Sequence, residues 1–278
     1  MQMNSVTVLK TIDRLGLTAY AKRLKQLLIR IRLWPKGGIG YAHRIRTYKL
    51  LSGRGLEIGA LNYPAIVPVG CIVQYCDAHS KEDAAKLFPE IESRSLVDVA
   101  FLVNLDEEKL SAKVKPPYDF VIMNHVIEHV ANPIAVLQEL CAVVRAGGLV
   151  IVSAPDKEFT FDKPRQLTPF RHLLDEYQNS VSYVDDDHYL DFIRYTSPNI
   201  YNSGDGELLA NVLKSARERR EHAHVWSTDS FLEFLKESIN FLELNIAIEF
   251  ISAAKDNNFE CFVVLKKLQS QKTPLRHH

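Results

Sequence analysis

The sequence predicts a doubly wound α/β fold: a mostly parallel seven-stranded sheet, preceded by basic helices and carrying a polar insert before its last two strands. Three observations predict it. Between residues 55 and 155, short apolar runs alternate with segments of helical period. The run Leu149-Val150-Ile151-Val152 is apolar throughout, as strands buried on both faces of a parallel sheet are. The chain closes with two strand-like runs, 244–251 and 259–265, joined by the polar turn Lys255-Asp256-Asn257-Asn258.

Taken in order, the elements justify that reading. From about residue 6 to 33 apolar residues recur at helical spacing (Val8/Leu9, Ile12, Leu15, Ala19/Tyr20, Leu24, Leu27/Leu28, Ile31) with Lys and Arg between them. Gly16 divides this stretch into two helices and Pro35-Lys36-Gly37-Gly38 ends the second. Up to Arg54 the chain carries 12 Lys/Arg against the single acid Asp13 while the whole is neutral, so the remainder is acidic by the same margin. Residues 1–50 are therefore set apart as a basic helical segment, suited to the acidic body of its own fold or to peripheral contact with an anionic membrane.

The body, 51–268, begins with strands at 55–58 and 72–76 and a helix at 81–87 capped by Ser80. A third short strand is expected at 96–97, ending near Asp98, and a fourth at 119–124 after Pro116-Pro117. A helix at 133–145 has Asn132 as N-cap and Pro133 in its first turn, and Gly147-Gly148 is expected to end it before the strand at 149–152. Residues 156–226 form a polar, aromatic, His-rich insert with few long apolar runs, read as irregular; order resumes with a helix at 228–239, and 269–278 is a flexible tail.

Composition removes several classes. The 278 residues are 46% hydrophobic, enough for one large domain. Zero net charge gives no pointer to nucleic acid, and none is expected as a partner. Cys71, Cys76, Cys141 and Cys261 lie scattered in apolar runs without metal spacing, which reads as buried thiols in a reducing compartment. With no bilayer-length apolar segment, a cytoplasmic location is expected.

The chemistry starts at Leu56-Glu57-Ile58-Gly59-Ala60-Leu61-Asn62-Tyr63-Pro64, a strand delivering an acid and a turn. The next run, Cys71–Cys76 in apolar character, ends on Asp77, about twenty residues after Glu57. A carboxylate at the second strand tip accepts hydrogen bonds from both ribose hydroxyls, so loop and acid together point to an adenosine-containing ligand.

These segments resemble class I S-adenosylmethionine-dependent methyltransferases. The resemblance rests on Glu57-Ile58-Gly59, on Asp77, and on the run Tyr118-Asp119-Phe120-Val121-Ile122-Met123-Asn124-His125-Val126-Ile127-Glu128-His129-Val130 followed by Pro133 and Arg145-Ala146-Gly147-Gly148. It covers about 55–155 plus the final strand pair. Within the family the chain is similar to enzymes associated with bacterial surface-polysaccharide synthesis, through Pro155-Asp156-Lys157, Thr160-Phe161-Asp162, Thr168-Pro169 and His224-Val225-Trp226-Ser227. It departs from the family's glycine-rich first loop, since Leu61 stands where the second glycine is usual. A dinucleotide's pyrophosphate needs that glycine cradle, whereas S-adenosylmethionine has no phosphate.

The resemblance implies a Rossmann-like methyltransferase fold and S-adenosylmethionine as cofactor, held by Glu57, Gly59, Ala60, Leu61, Asp77, Asp98, Asn124 and His125. His125, His129 and Glu128 are the candidate catalytic residues: a hydroxyl acceptor needs a base, and Glu128 sits where it can orient either imidazole. In the insert Asp156, Lys157, Arg165, His172, His188, His224 and Trp226 are expected to bind a small or glycan-like acceptor methylated on oxygen. A carboxylate–histidine group such as Asp187-His188 with His222/His224 has metal-ligand chemistry, but His-x-His in an apolar setting is more often a satisfied structural pair, and no metal is expected. The alternatives are a nicotinamide-dependent oxidoreductase and a catalytically degenerate fold serving as a membrane-peripheral scaffold.

Overall fold

Strands form where the apolar runs are, and seven of them share one sheet among the described residues. They are β1 (Arg54–Ile58), β2 (Ile72–Asp77), β3 (Phe101–Leu102), β4 (Tyr118–Asn124), β5 (Val144–Pro155), β6 (Ile246–Ser252) and β7 (Glu260–Lys267), in the order β3-β2-β1-β4-β5-β7-β6. The first five run parallel; β7 is antiparallel to both β5 and β6. This computed structural model describes residues 41–269. The expected N-terminal helices with their membrane contact, and the tail from 270 onward, lie outside the described residues. By contacts the chain divides into Met1–Ala42 and His43–His278, and the sheet belongs to the second unit.

The helices are α1 (Ala42–Tyr48), α2 (Lys81–Leu87), α3 (Leu110–Lys113), α4 (Pro133–Val143), α5 (Phe170–Gln178), α6 (Asp186–Thr196), α7 (Pro198–Tyr201), α8 (Gly206–Arg219), α9 (Thr228–Phe241) and α10 (Ala254–Asn257). Local chemistry starts them where expected. The Ser80 hydroxyl accepts from the Asp83 N–H at 3.1 Å, and Asn132 Oδ1 accepts from the Ala135 N–H at 3.0 Å ahead of Pro133. None of the described helices is long and apolar enough to cross a membrane.

The central strand β4 is buried on both faces, which is why its sequence is a continuous apolar run. Val121 and Met123 pack with α4 and α9 residues such as Leu137 and Phe234; Phe120 and Ile122 pack on the other side with Tyr48, Leu51 and Phe262. Helix α1 thus shares a core with the sheet, so the boundary expected at 50/51 would separate Tyr48 from its packing partners.

Three expectations are corrected. The third strand lies at Phe101–Leu102, not 96–97. Leu96 and Val97 are buried, but beneath the loop after β1, where the Val97 N–H donates to the Leu61 carbonyl at 2.9 Å; their apolar character comes from that packing rather than from the sheet. Helix α4 ends at Val143 and β5 starts at once, so Gly147-Gly148 lie inside a strand. Gly147 takes φ +79° there, next to a shift in the β4–β5 register between Tyr118 and Phe120. The insert is helical rather than irregular: α5 to α8 fall within it, with a small core of Tyr189, Ile193 and Ala216.

One glycine in the 55–58 strand is required by contact. A Cβ on Gly55 would lie 2.1 Å from the Phe120 ring. Gly55→Ala is expected to lower stability by about 1–3 kcal/mol, the usual cost of overpacking a filled core. Urea denaturation at pH 7 measures it, and a midpoint unchanged from the parent would show that Phe120 has room to move.

Candidate functional site

The carboxyl ends of β1, β2 and β4 meet in a cavity of about 280 Å³, close to the lower end of the ~300–1,000 Å³ typical of small-molecule sites. Its apolar wall includes Ile58, Leu61, Phe88, Leu105 and Val126; its polar groups include Asp77, His79, His129 and Arg220. The turn after β1 shapes one side. Gly59 takes φ +67°, and a Cβ there would sit 2.3 Å from a methyl of Val126. Leu61 takes φ +46°, a conformation costing a non-glycine residue roughly 1–2 kcal/mol. A leucine therefore holds the glycine-like shape that the loop needs.

The predicted cofactor residues divide. Gly59, Leu61 and Asp77 line the cavity. Asp77 accepts the His79 N–H at 3.1 Å, and burial raises its pKa above the usual carboxylate value. Ala60 is buried in the turn, and its carbonyl accepts the Tyr63 N–H at 2.7 Å. Glu57 is buried below the loop: both its oxygens accept the Ala65 N–H, at 2.7 and 2.9 Å, so it shapes the loop instead of lining the cavity. Asp98 is exposed and ion-paired with Lys81 at 2.7 Å, away from the cavity lining. The Asn124 amide donates to the Tyr48 hydroxyl at 2.8 Å and accepts from the Ser153 hydroxyl at 3.0 Å, which fixes the end of β4 from behind.

His125 and His129 also part company. His125 has φ +54°, stacks on Phe259 at a centroid distance of 4.6 Å, and places Nε2 2.9 Å from Glu260 Oε2. His129 lines the cavity and donates Nδ1–H to the Arg220 carbonyl, which leaves Nε2 with its lone pair. Burial, then the neighbouring His222, push its pKa down to about 3, so it stays neutral.

Between these rings lies Glu128, fully buried, with Oε1 3.7 Å from His125 Nδ1, 3.7 Å from His129 Nε2 and 4.0 Å from His222 Nε2. Neither oxygen has a hydrogen-bond partner among the described residues, and burial raises its pKa. His222 is anchored through Nδ1 to Asp162 Oδ2 at 2.6 Å. Glu128, His129 and His222 thus form one carboxylate–imidazole group at the cavity's edge.

The insert supplies the far wall, but through residues the sequence did not single out. Arg219, Arg220 and Glu221, at the end of α8, line the cavity. Arg220, in the left-handed conformation at φ +52°, donates to Asn104 Oδ1 at 2.8 Å and pairs with Asp106. A second, open cleft of about 820 Å³ shares His79 and Arg220 with the first and is walled by Tyr183, Asp187, Tyr189 and Arg217.

The seven predicted acceptor residues line neither space. Asp156 accepts from the Thr228 N–H and hydroxyl at 2.7 and 2.8 Å, Lys157 donates to the Arg165 carbonyl, and Trp226 packs on Phe231 and Phe234. The Arg165 guanidinium is engaged by Asp162 and Asp191, both at 2.8 Å. His172, His188 and His224 converge with Glu176, while Asp187 and His222 stand apart from that group.

The family description "methyltransferase domain" matches residues 71–238, more than half of the chain. The chain belongs to the methyltransferase-domain family. No curated protein matches it. Among solved structures, a Rhodobacter sphaeroides protein described as a Zn-dependent alcohol dehydrogenase aligns with TM-score 0.50 and 13% identity, over 82% of this chain and 90% of its own; it shares the fold. A Methanococcus maripaludis protein described as an S-adenosyl-L-methionine-dependent methyltransferase aligns at TM-score 0.44 and 9% identity, over 91% and 94%. The N-methyltransferase NodS of Bradyrhizobium japonicum, in complex with S-adenosyl-L-homocysteine, aligns at 0.39 and 9%, over 92% and 91%. The seven-stranded sheet of this methyltransferase domain, with its antiparallel β7, is the fold that the sequence predicts.

A buried carboxylate on β7 steadies the domain's rim. Glu260 receives His43 Nε2 at 2.6 Å, Arg44 Nε at 2.6 Å and His125 Nε2 at 2.9 Å. Burial alone would raise its pKa, but the Arg44 charge and hydrogen bonds from Arg44, His125 and His43 overcome this and hold it well below the usual range. Because the folded-state pKa is depressed, the stabilisation is complete above the unfolded-state value of about 4.3 and is lost as pH falls below it. Glu260→Gln, which leaves buried cations unmatched, is expected to cost about 3–5 kcal/mol at pH 7 and to flatten the acid limb of stability. Urea titrations at pH 7 and about pH 2.5, well below the unfolded-state value, read both effects; equal losses at the two pH values would contradict this account.

Proposed function

We propose that this chain transfers a methyl group from S-adenosylmethionine to a hydroxyl of a small, glycan-like acceptor. The observation that carries the reading is Asp77: a carboxylate at the tip of β2, opening into a cavity beside a turn whose Gly59 has no room for a Cβ. The residues fit the donor. Asp77 is placed to accept from ribose hydroxyls, and Leu61, Phe88 and Leu105 offer the apolar surface that a purine needs. When bound, the donor supplies an activated methyl group on a sulfonium centre.

The chain's own residues provide position, dryness and a place for the acceptor's proton. His129, kept neutral, and Glu128, raised by burial, form the pair beside the cavity that handles that proton. His125 acts at one remove, as a positioning residue between Phe259 and Glu260. The acceptor assignment draws support from the larger cleft, which is lined by Tyr183, Tyr189, Asp187 and an Arg217 paired with Asp186, a mixture of aromatic and polar side chains that suits hydroxyl-rich rings.

Isothermal titration with S-adenosylmethionine and S-adenosylhomocysteine tests the donor, and absence of heat for both would end the proposal. Asp77→Asn is expected to weaken S-adenosylhomocysteine roughly tenfold, about 1.4 kcal/mol, with little change in thermal stability.

A further inference from the structure

A second group of polar side chains stands apart from the cavity and takes no part in the proposed transfer. His172 and Glu176 occupy one face of α5 at i and i+4, His188 lies in the first turn of α6, and His224 in the segment after α8. His172 Nε2, His188 Nε2 and Glu176 Oε1 form a triangle with edges of 3.0, 3.0 and 3.5 Å. His224 Nε2 is 3.7 Å from the other Glu176 oxygen. Ligand atoms around a tetrahedral ion with bonds of ~2.0–2.1 Å stand roughly 3.3 Å apart, so the triangle already has the size of one face of such a site.

Proton placement agrees with the geometry. Asp185 Oδ1 lies 2.7 Å from His188 Nδ1, which puts the imidazole proton there and turns the Nε2 lone pair inward, as carboxylates do behind metal-bound histidines. His224 donates Nε2–H to the Val130 carbonyl at 3.0 Å, which leaves Nδ1 as a lone-pair atom. That Nδ1 and Glu176 Oε2 are both buried with no hydrogen-bond partner among the described residues. One ring nitrogen of each histidine and one Glu176 oxygen lie within 4.8 Å of one another, and a cation among them would satisfy the buried acceptors. The cluster has an entrance, since the His172 side chain is 41% exposed while that of His224 is 0%.

We propose that His172, Glu176, His188 and His224 bind one divalent transition-metal ion, zinc foremost, that fastens the separate segments of the insert to one another. Three imidazoles and one carboxylate form a borderline donor set suited to zinc rather than to magnesium or calcium. Four protein ligands close a tetrahedral shell, so the ion's role is structural. The fastening has definite ends. The Ala223 and His224 N–H groups donate to the Glu128 carbonyl at 2.9 and 3.0 Å, and Asn132 Nδ2 donates to the Glu176 carbonyl at 3.3 Å. The ion would thus join α5, α6 and the approach to α9 to one another, and these hydrogen bonds tie that unit to the loop carrying Glu128 and Val130.

The test uses the full chain, freed of any affinity tag and purified without chelators. Mass-spectrometric metal analysis should find about one zinc per chain, and chelation should lower Tm, with recovery when zinc chloride is added back. Cobalt replacement should give the intense visible absorption of a tetrahedral site. His188→Ala should lose the ion at least tenfold, with folding checked by circular dichroism. Asp185→Asn, which spares every ligand, should weaken zinc by about 10–100-fold. A folded parent chain that retains no zinc and shows no Tm response to zinc, manganese or iron(II) overturns the site. So does zinc held equally well by the parent and both variants, which would place the ion elsewhere.

Discussion

A carboxylate with no access to water has to be matched by charge, and that demand at Glu260 organises the rim of this molecule. Its three partners come from two places: His43 and Arg44 on α1, and His125 just past β4. One buried anion therefore holds together the helix before the sheet, the antiparallel strand β7 and the turn leaving the central strand. The left-handed backbone of His125, which a histidine would not adopt unaided, is held by that hydrogen bond and by stacking on Phe259. From there the chain turns directly into Glu128 and His129, so the geometry of the proposed catalytic pair is tied to a residue on β7, two strands from β4.

What could be read from the chain was whatever depends on local pattern. The runs at β1, β2, β4 and β5, the capping residues Ser80 and Asn132, and the acid Asp77 at a strand tip all express short-range chemistry, and each lies where its pattern places it. The third strand was misplaced because Leu96 and Val97 are apolar for a tertiary reason, the loop above them, while Phe101–Leu102 is too short to carry a period. The helices of the insert escaped notice for a related reason. Their buried faces are narrow, and α6 and α8 mostly bury against one another, so the composition looked irregular.

Residue type was a good guide to chemistry and a poor guide to partnership. Asp156, Lys157, Arg165 and Trp226 are the sort of residues that bind sugars, yet Lys157 and Arg165 are engaged within the insert, and Asp156 and Trp226 with α9. The residues that do face the cavity from the insert, Arg219 to Glu221, sit at a helix end with nothing in their local sequence to mark them. The histidines separate in the same way. His222 joins Glu128 and His129, while His224, two residues on, faces Glu176 on the other side of the backbone. Residues two apart on an extended segment share a face, so this parting follows from tertiary packing that sequence adjacency does not show.

Arg220 and His79 form a common wall between the smaller cavity and the larger cleft. Whatever occupies one chamber thereby sets the side chains that greet the occupant of the other. Occupants of the two spaces would meet the same two side chains, so a change at either residue would be felt in both.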